Sequence, residues 1–258
     1  MPTIKAFRMD GLGNKFVIVD RRKDFVNITK EQIIHLGNLK SFHRDIGFDQ
    51  IIFIEKEVDK AFPITIFNSD GSEISACGNG SRCIAYLLGK DLNTKTVRLK
   101  TNNRLLDAKI VGDLDVELAM GKPIFEWNKI PLSKNLDHSN ITLNIEDKTL
   151  TDGFCVNVGN PHIIFFVKNY NEYDLKKIGP SIENHNFFPE KCNVTLASIK
   201  NKKYIQVKVW ERGAGLTKAC GTAACAAAVS GAILKINERC VDIEFSEGIL
   251  NINWKIDN

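Results

Sequence analysis

Ala76-Cys77-Gly78-Asn79-Gly80-Ser81-Arg82-Cys83, continued by Ile84-Ala85-Tyr86-Leu87-Leu88, is the stretch on which the reading of this chain turns. A turn precedes it (Asn68-Ser69-Asp70-Gly71), and the apolar run behind it has the length and composition of a short buried helix. Cys77 then stands at or just before a helix N-terminus. Unpaired backbone N–H groups and the positive end of the helix dipole converge there, which favours bound anions and lowers the pKa of a thiol.

A second stretch has the same build. Ala219-Cys220-Gly221-Thr222-Ala223-Ala224-Cys225 opens with the same Ala-Cys-Gly and runs into Ala226-Ala227-Ala228-Val229, after the turn Glu211-Arg212-Gly213-Ala214-Gly215. Cys77 and Cys220 are 143 positions apart. At that offset Gln50 falls on Asn193, each before a β-patterned run, and Phe67 falls on Trp210. A one-residue slip sets Val97-Arg98-Leu99 on Val241-Asp242-Ile243, and a slip of three sets Gly13-Asn14 on Gly159-Asn160. The common order of these matches describes two copies of one unit.

Length agrees with duplication, since 258 residues make two domains of ordinary size. The expected halves are 1–120, carrying Cys77, and 121–258, carrying Cys220, with Gly121-Lys122-Pro123 as the boundary. The last residues are left open to packing on the N-terminal half. A 43% hydrophobic and 26% charged composition is that of a soluble globular protein. The net charge of +4 is mild and the lysines and arginines are scattered, which argues against a nucleic-acid partner. No apolar run reaches membrane-spanning length, and the first residues lack the apolar region of a signal peptide. Seven cysteines with no paired metal spacing point to free thiols, a cytoplasmic location and no metal. Gly11-x-Gly13 lacks the third glycine of a dinucleotide fingerprint.

Along the first half, strands are expected at 4–9, 16–20, 51–55 and 62–67, with a hairpin of 96–101 and 104–111 joined at Asn102-Asn103, then 114–119. A helix over 29–39 has Thr29 as N-cap and Gln32 three positions on. The second half repeats the plan, with strands at 141–145, 154–158, 163–167, 193–199 and 203–210, a helix over 175–184, and a final hairpin of 240–245 and 249–254. The fold expected is α/β (α+β), two pseudo-symmetric halves, each a β-barrel-like sheet around a central small-residue helix.

Two related halves are expected to meet about a pseudo-twofold axis, with their equivalent loops facing across a cleft. Cys77 and Cys220 would flank one carbon. One, as thiolate, removes a proton from one face, and the other, as thiol, returns a proton to the opposite face, inverting the centre. The helix N-termini would hold a carboxylate as charge develops on it. A single cysteine in a small-residue helix is usually a packing residue, and that reading is kept for Cys83, Cys155, Cys192, Cys225 and Cys240. Arg212 suits a bidentate grip on a carboxylate, and Glu211 suits an ammonium group, although such a pair is more often a surface salt bridge. Asn14 pairs with Asn160, Gln50 with Asn193 and Asn68 with Glu211 across the copies, which favours a shared ligand. For His162, after Pro161, an orienting role and a structural role stand level.

Taken together, Gly11-Leu12-Gly13-Asn14, Gly47-Phe48-Asp49-Gln50, Asn68-Ser69-Asp70-Gly71, the two cysteine stretches, Gly159-Asn160-Pro161-His162 and Glu211 through Gly215 resemble the diaminopimelate epimerases over nearly the whole chain. The resemblance implies interconversion of LL- and meso-diaminopimelate in lysine and peptidoglycan synthesis, without pyridoxal phosphate, metal or any other cofactor. It makes Cys77 and Cys220 the acid/base pair. It gives Gly78, Asn79, Gly221 and Thr222 backbone contacts to the carboxylate at the reacting centre. Asn68, Asn193 and Arg212 take the distal amino-acid end, Glu211 and Gln50 lie near the reacting amine, Asn14 and Asn160 add substrate contacts, and His162 supports catalysis. A small-molecule amino acid is the expected partner, with a homodimer as the assembly carried forward. The chain departs from the family pattern at Lys15 (usually Asp), Leu216 (usually Glu), Ala223 (usually Gly) and Ser246-Glu247-Gly248 (commonly Pro-Gly-Gly). Competing readings are a racemase of the same fold acting on another amino acid, a thiol redox protein, which the absence of Cys-x-x-Cys counts against, and a non-catalytic amino-acid-binding module.

Overall fold

A computed structural model describes residues 5–41, 44–45, 47–74, 77–102, 104–145 and 148–255. Ile4 of the expected first strand, Ala76 of the first cysteine stretch and Asn103 of the hairpin join lie outside the described residues. The chain divides into two units, Met1–Ala119 and Met120–Asn258.

In the first unit the elements run β1 (Ala6–Gly11), β2 (Asn14–Asp20), α1 (Lys30–Gly37), β3 (Lys40–Ser41), β4 (Arg44–Asp45), β5 (Gln50–Ile54), β6 (Phe62–Asn68), β7 (Glu73–Ile74), α2 (Gly78–Leu92), β8 (Thr96–Lys100), β9 (Leu105–Gly112) and β10 (Asp115–Leu118). The sheet order is β1-β2-β5-β6-β8-β9-β10, with β7 on β6. In the second unit they run β11 (Ile141–Ile145), β12 (Lys148–Asn157), β13 (Pro161–Phe166), a 3-10 turn (Tyr170–Glu172), α3 (Leu175–Glu183), β14 (Asn193–Asn201), β15 (Tyr204–Glu211), β16 (Gly215–Thr217), α4 (Gly221–Ile233), β17 (Cys240–Phe245) and β18 (Gly248–Asn253). The order there is β11-β12-β13-β14-β15-β17-β18, with β16 on β15.

One pairing series runs through both. From β1 to β9 successive neighbours are antiparallel, parallel, antiparallel, parallel and antiparallel. From β12 to β18 the series is identical. The registers coincide as well. Ile51 faces Phe67 as Val194 faces Trp210, and Phe62 faces Leu99 as Ile205 faces Ile243. These are the positions that the sequence offsets of 143 and 144 bring together. β10 and β11 are the additions to the shared plan.

Each sheet curls around one helix. α2 touches β1 and β2 at one end of its sheet and β8, β9 and β10 at the other, and α4 likewise touches β12, β13, β14, β17 and β18. Ile84, Ala85 and Leu88 of α2 are buried among Phe16, Ile18, Ile52, Ile66, Leu99 and Leu106. Burying a side chain of the size of Ile84 or Leu88 contributes about 1.5–3 kcal/mol each. In α4, Ala223, Ala224, Ala226, Ala227 and Ala228 are buried on several faces. Only methyl-sized side chains let a sheet close around a helix from so many sides.

Local signals explain the starts. Thr29 accepts from the Gln32 backbone N–H while the Gln32 side chain accepts from the Thr29 N–H, a capping box. Asp174 caps α3 through the Lys176 N–H. Leu12 and Gly13 have φ of 54° and 77°, giving a two-residue turn between β1 and β2 that matches the twist of its strands.

The structure extends or corrects the sequence reading in four places. α2 begins at Gly78 and runs 15 residues, because Asn79, Gly80 and Ser81, poor helix formers, are buried by tertiary packing. β12 begins at Lys148, well before the expected 154, because Asp152 (φ 57°) and a register shift against β11 form a bulge inside one strand, where a turn is otherwise suggested. β3, β4, β7 and β16 are too short to show alternation. Cys240 is exposed and Cys225 partly so, whereas Cys83, Cys155 and Cys192 are buried packing residues.

α3 is pressed onto the indole of Trp210: a Cβ at Gly179 would lie 2.6 Å from its Cδ2. Gly179→Ala is therefore expected to cost about 1–3 kcal/mol by overpacking. Denaturant unfolding, with Trp210 emission as a second signal, checks this.

Candidate active site

Both cysteines cap helices with nearly the same backbone. Cys77 has φ −143° and ψ 112°, Cys220 has φ −144° and ψ 114°, and each precedes a glycine that opens the helix. The first N–H groups of each helix have no acceptor within it, the arrangement that favours an anion. The Gly80 N–H donates to Cys77 Sγ at 3.4 Å. A Cβ at Gly80 would lie 2.6 Å from the Ile52 Cδ1, so glycine lets this helix start sit against the sheet.

Three turns of the first unit converge on Asp49. Its carboxylate accepts from the Lys15 N–H at 2.8 Å, its own N–H donates to the Lys15 carbonyl, and its carbonyl accepts from the Ser69 N–H. The turns so joined carry Asn14, Gln50 and Asn68. Gln50 Nε2 donates to Asn68 Oδ1 at 3.2 Å, and Asn68 Nδ2 donates to Ser72 Oγ. Gln50 Oε1 is buried with no partner among the described residues, an acceptor suited to an N–H donor such as a ligand amine. Asn79 is buried, with its side chain between Asn14 and Arg82.

In the second unit, Cys220 is buried, with Sγ 3.3 Å from Thr222 Oγ1. Burial first, then the nearby Glu211 carboxylate, pushes the Cys220 thiol well above the ordinary value; Thr222 and the Ala223 N–H act in the opposite sense. Glu211 is itself raised by burial, with Thr217 and Cys220 acting in the opposite sense. His162 is fully buried and lowered to about 3 by desolvation and then by the charge of Arg212, so it is neutral at any working pH. Its Nε2 is 2.9 Å from Asn160 Oδ1.

Two residues sit differently from a simple ligand contact. Asn193 donates to the Pro161 carbonyl and accepts from the Arg212 N–H, so its amide engages backbone on both ends and holds the Glu211–Arg212 turn to β14. Arg212 is exposed, and its Nη1 donates to the Glu190 carbonyl, which leaves further guanidinium donors available. Of the family departures, Leu216 packs against the apolar core of its unit and Ala223 is fully buried.

Sequence reasoning passed over Glu183, Asp49 and Arg82. Buried Glu183 accepts from Trp210 Nε1 at 2.7 Å and from the Gly213 N–H at 3.1 Å, pinning the turn that carries Glu211 and Arg212. A lone glutamate at a helix end gives no signal of this, because its partners lie 27 and 30 positions away. Arg82 stood inside the quoted stretch. Its place three residues after Asn79 on one helix face was the available signal. Among the described residues no group of three or more His, Cys, Asp or Glu could hold a metal ion, and no helix is long and apolar enough to cross a membrane.

A family model described as diaminopimelate epimerase matches residues 6–126 and 154–258. A diaminopimelate epimerase of Pelagibacter ubique (strain HTCC1062) is 53% identical over 253 residues, covering 97% of this chain and 91% of that protein. One from Wolbachia sp. subsp. Brugia malayi (strain TRS) is 37% identical, covering 96% and 92%. A solved structure from Pseudomonas aeruginosa, described as a predicted epimerase, matches with a TM-score of 0.63 at 15% identity, covering 99% of this chain and 93% of that one. At that identity the likeness establishes the two-half fold.

The buried titratable groups predict the pH range of stability. His162 stays neutral when folded but takes a proton near 6.5 when unfolded, so its contribution is present above that pH and is lost as pH falls toward about 3. Cys155, Cys192 and Cys220 are raised from 9.0 by burial, so the unfolded chain releases protons that the fold keeps, and their contribution is lost as pH rises above that value. Urea midpoints are expected to fall below about pH 6.5 and above about pH 9. His162→Gln is expected to flatten the acid limb alone.

Proposed function

The chain belongs to the diaminopimelate epimerase family, a family of isomerases, and on that premise we propose that it interconverts LL- and meso-diaminopimelate by a two-cysteine mechanism without a cofactor. This places it in lysine and peptidoglycan synthesis. The observation that carries the reading is the matched pair of cysteines at helix N-cap positions, one in each copy of a duplicated unit, with nearly equal backbone angles at Cys77 and Cys220.

In the proposed reaction the α-carboxylate is held by N–H groups at the two helix starts, from Gly78 and Asn79 and from Gly221 and Thr222. Cys77, as thiolate, takes the α-proton. The electron pair of the broken C–H bond moves into the carboxylate, whose growing charge the N–H groups and helix dipoles stabilise. Cys220 gives its S–H proton to the opposite face, and the thiolate is left on Cys220. Inversion is then complete and the two sulfurs have exchanged protonation states. Burial and the neighbouring Glu211 support Cys220 as the protonated partner at rest. Asn68 and Arg212 take the distal end of the substrate, with Asn193 holding the Arg212 turn. Gln50, through its unpartnered Oε1, and Glu211 receive the reacting ammonium group. Asn14 and Asn160 add contacts, and neutral His162 orients Asn160. In the same reading the enzyme works in the cytoplasm, where the seven cysteines remain thiols.

Incubation of the reduced protein with LL-diaminopimelate in heavy water is expected to put deuterium on one α-carbon as meso product appears, with no cofactor added. Cys77→Ala and Cys220→Ala are each expected to lower turnover by about 10²–10⁴-fold or more. Absence of exchange while both thiols are titratable overturns the substrate assignment. Full activity in either variant overturns the two-cysteine mechanism.

A further inference from the structure

We propose that Arg82 is a positioning residue that fixes which way the Asn14 amide faces, so that Asn14 presents N–H donors to a carboxylate oxygen of the ligand. The inference rests on the reading above for the identity of that ligand.

An asparagine side chain offers a donor end and an acceptor end of nearly equal size, and nothing in its own shape selects between them. A guanidinium removes the ambiguity, because it can only donate. Arg82 Nη2 lies 2.7 Å from Asn79 Oδ1, so the atom of Asn79 facing Arg82 is its oxygen. The Asn79 NH2 group therefore points the other way, where it donates to Asn14 at 2.8 Å. The atom of Asn14 that receives it is again the oxygen, and the Asn14 NH2 group is turned outward. No acceptor bonds that group among the described residues. Asn79 is 3% exposed, so water does not compete to reverse the chain of bonds. The β1–β2 turn comes close enough because position 11 is glycine, whose Cβ would lie 3.3 Å from that of Asn79. The outward donors stand on the turn packed against the start of α2, where an anion is favoured.

The second unit reaches the same result with different residues, which supports the inference independently. Asn160 is the counterpart of Asn14, but at the 143-residue offset Arg82 is replaced by Cys225 and Asn79 by Thr222, so that donor chain is absent. His162, whose counterpart is the apolar Phe16, supplies a donor instead. His162 is neutral and Nδ1 is buried without a partner. An unpartnered lone pair is tolerated more readily than an unpartnered buried N–H. Of the two side chains at Nε2, Asn160 Oδ1 is the nearer at 2.9 Å and Asn193 Nδ2 lies at 3.5 Å; with the proton on Nε2, His162 donates to Asn160 Oδ1, and the Asn160 NH2 group is also turned outward. An arginine in one copy and a histidine in the other impose one amide polarity.

The test follows LL-diaminopimelate turnover in wild type, Arg82→Leu, Arg82→Lys, Asn14→Ala and Arg82→Leu/Asn14→Ala, together with the side-chain amide NMR signals of Asn14, assigned by their loss in Asn14→Ala. Arg82→Leu is expected to raise KM about tenfold or more with kcat within about threefold, since a ground-state contact is lost. Arg82→Lys, also a pure donor, recovers most of that loss. The double variant matches Asn14→Ala within about twofold, because both changes remove one interaction. The Asn14 amide signals shift in Arg82→Leu and return in Arg82→Lys at an unchanged thermal midpoint. Additive losses in the double variant, or Asn14 signals that do not move in Arg82→Leu, overturn the proposal. Absence of wild-type turnover overturns the substrate reading instead, and the NMR signals still decide the role of Arg82.

Discussion

A helix whose N-terminus is sunk into the wall of its own sheet is the constraint on which each unit depends. The first N–H groups of such a helix have no partner within it, and burial makes an unpaired N–H costly. Here the residue before each helix is a cysteine in an extended conformation, and the next is a glycine. Sulfur is a weak acceptor and glycine has no side chain, so beyond the Gly80 N–H, which donates to Cys77 Sγ, the first N–H groups are left without a strong acceptor, a setting suited to an anionic ligand. A serine or aspartate cap would hold the helix better and occupy those donors. The small residues behind each cysteine follow from the same constraint, because a helix surrounded by a curled sheet has room only for short side chains at its start.

Duplication supplied two such ends, and divergence made them unlike. Cys77 is partly exposed and takes a backbone N–H, whereas Cys220 is buried beside Glu211 and Thr222. The surroundings of Cys220 favour the protonated thiol, as the proposed acid/base pair requires of one partner. The turns behind each site are anchored by a carboxylate in a manner particular to the unit. Asp49 gathers three turns in the first, and Glu183 pins the Glu211–Arg212 turn to α3 in the second.

Much of this was legible in the chain. Alternation places most of the longer strands, the Thr29 and Gln32 pair marks a helix start, and the Ala-Cys-Gly repeat with its offset exposes the duplication. These are local or periodic signals, carried by neighbours a few positions apart. The early start of β12 was hidden because Asp152-Gly153 has the composition of a turn and acts as a bulge, and a bulge is defined by the strand opposite. Cys240 illustrates the same limit, since β17 alone does not say which of its faces meets solvent.

The sequence by itself determined the two-copy plan, the helix behind each cysteine and the kind of chemistry the pair suits, because side-chain type and spacing act within one element. Only the tertiary structure decided how the polar groups are used: that Asn193 engages backbone on both ends, that His162 is neutral, that Glu183 holds a turn, and that Arg82 orients a chain of amides. Those outcomes depend on hydrogen-bond partners tens of residues apart and on exclusion of water, and both come into being when the sheet closes around its helix.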